Sequence, residues 1–298
     1  MLQLFLLAIF VVFLSTPAVA SQVSITVDDF NLSSEIGMEP LKRNAAILAA
    51  LKKHKIKAAG FVTTKYLNDS KAVEAVKEWS SSGHVIGNHT ENHWKYNDKT
   101  PAEFSADIIA AENKLKPFAT FKKIFRFPYL KEGETLEKRD TLRSFLKNNG
   151  YSNGHVSIDA SDWYINMRLV EKLKKGESVN LEKYKNFYLK HIWDRSEYYS
   201  KLARKTLNHD IKHTLLLHHN LTTALFLDDL LKMYQEKGWK VIDAENAFMD
   251  PTYSRSSDNI PAGESIVWAL AKQMGDKSLR YPAEDSVYEK DEMDKLGL

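Results

Sequence analysis

Apolar and polar positions follow one another along this chain in two rhythms. Short runs of β-branched and apolar residues at 23–27, 58–63, 84–87, 123–127, 155–158, 214–217 and 240–242 have the length and composition of buried strands. Between them Leu41, Ala45, Leu48 and Leu51, and later Phe104, Ile108, Ala111 and Leu115, recur at the spacing of a helix lying against a sheet. Thr100-Pro101-Ala102-Glu103 opens the second of these helices with an N-cap, a proline at the first helical position and a Glu at the third. Strands alternating with helices predict an α/β fold built on a mostly parallel sheet of about seven strands. Residues 168–210 read as an additional helical insertion, whose Tyr184, Phe187, Tyr188 and Trp193 are expected to pack on the rest of the fold. Beyond Asp250 the chain becomes turn-rich and then charged, which predicts a peripheral or mobile C-terminal tail.

The N-terminus breaks the rhythm. Residues 4–14 are an unbroken apolar run, followed by Ala18-Val19-Ala20, a small-x-small site suited to cleavage before Ser21. The expected organisation is therefore a signal peptide over residues 1–20, a catalytic domain over 21–250 and a C-terminal extension over 251–298. Export to the periplasm or the extracellular space follows from it. No later stretch approaches the roughly 18 apolar residues of a membrane-spanning helix, so no stable membrane insertion is expected after cleavage. The 298 residues are 43% apolar and 27% charged, as in ordinary globular proteins, and the net charge of +3 is spread along the chain. Without a basic patch no nucleic-acid partner is expected. The absence of cysteine excludes disulfides and thiol nucleophiles, and leaves any metal to His, Asp or Glu.

Parallel β/α folds carry their chemistry at the carboxyl ends of the strands, and polar constellations occur there. The first strand runs into Asp28-Asp29, adjacent carboxylates expected to leave opposite faces of the strand. The third runs into His89 and His93, four residues apart and expected on one face of a helical turn about 6 Å apart. With Asp28 or Asp29 as a third donor they form a two-His, one-carboxylate set, for which zinc is the default ion. The fourth strand delivers Arg126, Pro128 and Tyr129, and an arginine beside the aspartates would keep a base ionised and oriented. Asp159, Asp162 and Trp163 follow the fifth strand, and His218 and His219 the sixth. A His leaving a buried strand beside an Asp is placed to act as a general acid.

In order, Thr26-Val-Asp-Asp29, His89-Thr-x-x-His93, Arg126-Phe-Pro-Tyr129, Asp159-x-x-Asp162-Trp163 and Leu216-Leu-His218 resemble the five motifs of the polysaccharide deacetylase family. The resemblance implies a distorted (β/α) barrel, a divalent metal and hydrolysis of N-acetyl groups on a polysaccharide or oligosaccharide. It implies Asp28 as base, Asp29, His89 and His93 as metal ligands, and Arg126 as the residue that orients the base. It further implies the backbone N–H near Tyr129 as part of the oxyanion pocket, His218 as acid with Asp159 or Asp162 behind it, and Trp163, Tyr129 and Pro128 as substrate contacts. Two positions depart from the pattern: Phe30 follows the paired aspartates where the family usually has Gly, and His219 stands where Asp is common. The same machinery also suits acetyl esters or a small non-sugar amide or imide, and a homologue that only binds sugar is the remaining alternative.

Overall fold

The computed structural model describes residues 20–298, so the signal-peptide expectation lies, apart from Ala20, outside the described residues. In strand β1 (Gln22–Asp29), Val23, Ile25 and Val27 are fully buried in the main apolar cluster, while Ser24, Thr26 and Asp28 alternate with them on the other face. Helix α1 (Pro40–Lys53), strand β2 (Ala59–Val62), helix α2 (Ser70–Ser81), strand β3 (Val85–Asn88), helix α3 (Pro101–Leu115) and strand β4 (Phe121–Phe125) continue the β/α alternation. The predicted capping box is present on α3, with Thr100 and Glu103 each accepting from the other's backbone.

Next come β5 (Lys131–Gly133), α4 (Leu136–Asn148), β6 (Ser152–Asn153), α5 (Asp162–Lys174), α6 (Leu181–Leu207), β7 (Lys212–His218), α7 (Leu221–Glu236) and β8 (Lys240–Val241). The chain ends with α8 (Ala244–Phe248), β9 (Ala262–Gly263), α9 (Ile266–Gln273) and α10 (Ser286–Leu296). The main sheet runs β6-β4-β3-β2-β1-β7, all neighbours parallel, with β8 also on β1. Arg126, just beyond β4, donates from Nη1 to Thr26 Oγ1 on β1 at 2.8 Å although two strands lie between them. Such contact requires a curled sheet with this polar face on its concave side: the architecture is a distorted (β/α) barrel.

The predicted strand at 155–158 does not form. Instead the chain pairs with β4 at Ser152 and Asn153, turns at Gly154, and meets β7 through the single bridge Ile158–Leu215, closing the ring between its edges. Gly154 permits that inward turn, since a Cβ there would stand 2.5 Å from the Phe61 ring. The helical insertion packs as expected, with Tyr184, Phe187 and Tyr188 buried and Trp193 packed at the edge of the core.

The expected peripheral tail is instead part of the structure's interior. Ile266–Ala271 are buried in the main core, α9 lies against α6, and β9 pairs antiparallel with β5. Glu284, at 1% side-chain exposure, is held by Arg195, Arg280 and the Tyr199 hydroxyl.

Candidate active site

Alternation along β1 puts Asp28 on the concave face and would send Asp29 to the other. The backbone overrides it. Asp29 and Phe30 both adopt left-handed conformations, with φ of 80° and 58°, and the strand end rolls over so that both carboxylates face one cavity. Phe30 tolerates the conformation because its ring is fully buried, packed edge-on to Trp79 with centroids 4.9 Å apart and over Gly60.

His89 and His93 also arrive by a route other than the predicted helical turn. They sit in an irregular loop with positive φ at Thr90 and His93. Asn88 Oδ1 accepts from the Thr90 N–H at 2.9 Å, Thr90 Oγ1 accepts from the His93 N–H at 2.9 Å, and Asp107 accepts from Asn92. The imidazoles meet edge to face with centroids 4.9 Å apart. His89 Nδ1 lies 2.8 Å from the Arg126 carbonyl oxygen, which can only accept, so its proton is on Nδ1 and the Nε2 lone pair faces the aspartates.

Three ligand atoms then converge. Asp29 Oδ1 lies 3.1 Å from His93 Nε2 and 3.6 Å from His89 Nε2, and donor atoms of Asp29, His89 and His93 all fall within 4.8 Å of one another. Asp29 Oδ1 is buried yet receives no well-aligned hydrogen bond. Burial opposes the charge on Asp29, but His93, His218 and His89 together hold its carboxyl well below the usual range. An ionised, unsatisfied carboxylate oxygen between two imidazoles fits a divalent cation in chemistry and spacing.

Beside this triad, Asp28 Oδ1 accepts from Arg126 Nη1 at 2.7 Å, both side chains almost completely buried. Arg126 is itself fixed by Thr26, by the Gly154 carbonyl at 2.8 Å and by the Phe61 ring 3.9 Å beneath its guanidinium. Asp28 and His218 are register partners on β1 and β7, so they stand side by side at the ends of adjacent strands. Asp162 is the carboxylate behind His218: its Oδ1 is 2.6 Å from Nδ1, and its Oδ2 accepts from the His218 backbone N–H at 3.0 Å. Burial works against a charged His218, but Asp162, then Asp29 and Asp28, push its pKa up to about 10. Asp159 makes no contact with His218 and lines the same cavity farther along; burial, then Glu284 and Glu264, raise it to about 7. His219 turns away, is buried, and donates from Nε2 to Asn44 Oδ1 at 2.9 Å.

The cavity, about 560 Å³, is lined by both aspartates, both histidines, Tyr129, Trp163 and His218. Tyr129 is 57% and Trp163 41% exposed, as surfaces that meet a ligand would be. Pro128 is not on the wall: it starts a 3₁₀ turn and is buried beneath it. In that turn Tyr129 has φ 57°, and its backbone N–H finds no acceptor among the described residues. The sequence reading missed Lys131, Glu264, Glu284 and Asp285, which also line the cavity. The signal available was the apolar run at 266–271, which marks a packed helix and so a tail folded back on the domain.

The family model for polysaccharide deacetylase matches residues 16–153. A peptidoglycan-N-acetylglucosamine deacetylase of Bacillus cereus is 32% identical over 150 residues, 50% of this chain and 49% of the relative. A peptidoglycan-N-acetylmuramic acid deacetylase of Bacillus subtilis is 24% identical over 149 residues, 50% of this chain and 54% of the relative. The chain thus spans about half the length of the curated relatives it matches. Among solved structures, a mutant CE4 family pseudoenzyme with restored activity superposes with TM-score 0.54 at 16% identity, covering 77% of this chain and 68% of the other. The peptidoglycan deacetylase PdaC of Bacillus subtilis does so with TM-score 0.50 at 21% identity, covering 76% and 90%. At those identities the structures speak for the fold, and over residues 16–153 the sequence, with its ordered motifs, is similar to the polysaccharide deacetylase family.

Proposed function

We propose that the protein is an exported, metal-dependent hydrolase that removes N-acetyl groups from an N-acetylated polysaccharide or oligosaccharide. The observation that carries this reading is the convergence, in one cavity, of a ligand triad, an Arg-held carboxylate and an Asp-backed histidine. A divalent cation, zinc by default, held by Asp29, His89 and His93 would supply Lewis acidity toward the attacking water and the acetyl carbonyl. Asp28 takes the proton of that water, aimed by the Arg126 guanidinium that donates to it. The free N–H of Tyr129 donates to the oxyanion as it develops. His218, on the neighbouring strand, gives its proton to the departing nitrogen, and Asp162 keeps that proton in place until it is needed. Tyr129 and Trp163 offer the exposed aromatic surface on which a sugar ring can lie. Peptidoglycan, the polymer named for two of the relatives, is one candidate substrate. The apolar leader supports export, and among the described residues no helix is long and apolar enough to cross a membrane.

Acetate release from N-acetylglucosamine oligomers and from acetylated xylan, by metal-loaded protein, tests the reading. The expected result is turnover of the amide, reduced at least about a hundredfold in Asp28→Asn and in His218→Ala. Turnover of the ester alone would move the activity to acetyl esters. Oligomer binding without release of acetate would make the protein a sugar-binding homologue.

A further inference from the structure

A second cavity of about 280 Å³ opens on the other side of His218. One wall is a stripe of α5, Trp163, Asn166, Val170 and Lys174, whose spacings of three and four residues place them on a single helix face. The opposite wall is the loop after β1, with Arg43 of α1 behind it. Asp29, Trp163 and His218 belong to both cavities, so the two lobes meet at the catalytic centre. From Trp163 to Lys174 the helix rises about 16 Å, room for a short run of sugar rings rather than one.

The lobes differ in charge. Arg43 is buried at 4% exposure and donates to the backbone carbonyls of Asn31 at 2.9 Å and Ser34 at 3.1 Å, with no carboxylate within ion-pair distance among the described residues. Lys174, exposed at the end of the stripe, is likewise unpaired among the described residues. The one acid of this lobe is Asp29, whose charge the cation would take up. Across the centre the first cavity is lined by Asp159, Glu264, Glu284 and Asp285, of which Glu264 pairs with Lys131 and Glu284 with Arg195 and Arg280, so among the described residues that lobe offers an anion no unpaired lysine or arginine. The free cationic groups of the groove therefore lie on the α5 side of the reacting group, and a chain with anionic substituents would be drawn to that side.

We propose, resting on the deacetylase reading, that the lobe along α5 is a subsite for an anionic sugar. The residue to be deacetylated lies at the metal triad while a carboxylate on a flanking sugar of the same glycan is drawn to Lys174. Arg43 adds attraction from beneath, Trp163 offers its face to the first ring, and Asn166, whose Nδ2 has no acceptor among the described residues, offers a donor midway.

The test compares two tetrasaccharides of equal length: chitotetraose, and an alternating N-acetylglucosamine–N-acetylmuramic acid tetramer with free lactyl carboxylates. KM from acetate release and Kd from calorimetry are measured for wild type, Lys174→Met, Lys174→Glu and, as a control off the stripe, Lys175→Met. In wild type the carboxylated tetramer should have the lower KM and Kd, by a margin that shrinks with salt. Lys174→Met should raise its KM and Kd about three- to tenfold, with chitotetraose and the control within twofold, and Lys174→Glu should raise them further. Equal values in wild type and Lys174→Met, or the same change for both tetramers, would overturn the subsite. If neither tetramer yields acetate the deacetylase reading fails, while the Kd comparison still decides the charge preference.

Discussion

Asp28, Asp29, His89, His93, Arg126 and His218 were legible as residues because each follows an apolar strand closely in the chain. Their orientation was not legible. Side-chain alternation sends neighbouring aspartates apart, and only the left-handed backbone at Asp29 and Phe30 turns both to one cavity. Sequence spacing also left Asp159 and Asp162 equivalent; coordinates separate them, since only Asp162 touches His218. With Asp162 in place, His218 is protonated up to about pH 10. A cation at the triad would remove the help that Asp29 gives and leave that of Asp162. Asp162→Asn should therefore cost more activity at pH 9 than at pH 6, with the alkaline limb of kcat shifted to lower pH, as a pH-rate profile would read. The same pair is linked to stability. A raised histidine pKa stabilises fully below its unfolded value of about 6.5 and is lost as pH climbs through about 10, so the variant should lose that slope. Phe30 can be tested by Phe30→Ala, which removes a buried ring at a strained position. The expected loss is about 3 kcal/mol, read by denaturant unfolding of the cation-free protein, with a cavity against Trp79 and Gly60.

At the scale of elements, strands with sustained apolar runs were readable, and β1, β2, β3, β4, β7 and β8 lie on or beside their predicted positions. β5, β6 and β9 have two or three residues each, too few to show a period. The segment at 155–158 has the composition of a strand, but barrel closure uses it as a bend and a single bridge. The C-terminal segment was misread because its turns and charges resemble a solvated tail. Its charges are spent on the interior: Glu284 joins α10's approach to α6 through Arg195 and Tyr199. Glu284→Ala would leave Arg195 and Arg280 without their carboxylate. A loss of about 3 kcal/mol in urea unfolding is expected, with the unfolding transition still cooperative. A change below about 0.5 kcal/mol would show that the segment is not part of the folded unit.

At the scale of the molecule, the barrel explains why residues spread from Asp28 to His218 come together in one cavity. Curling brings Thr26 and Arg126 into contact, and parallel register sets Asp28 beside His218. A cation at Asp29, His89 and His93 would be the last component of that assembly. Binding to the folded state alone, it should raise Tm in proportion to the logarithm of its concentration, an effect that His93→Ala removes. The most direct test joins occupancy to chemistry. Protein stripped by a chelator is titrated with zinc while acetate release from chitotetraose and bound metal are followed together. The expected result is no release without metal, and activity rising in step with occupancy to a plateau at one cation per chain. Full acetate release by metal-free protein, or one bound cation retained in the Asp29→Ala, His89→Ala and His93→Ala variants, would contradict it.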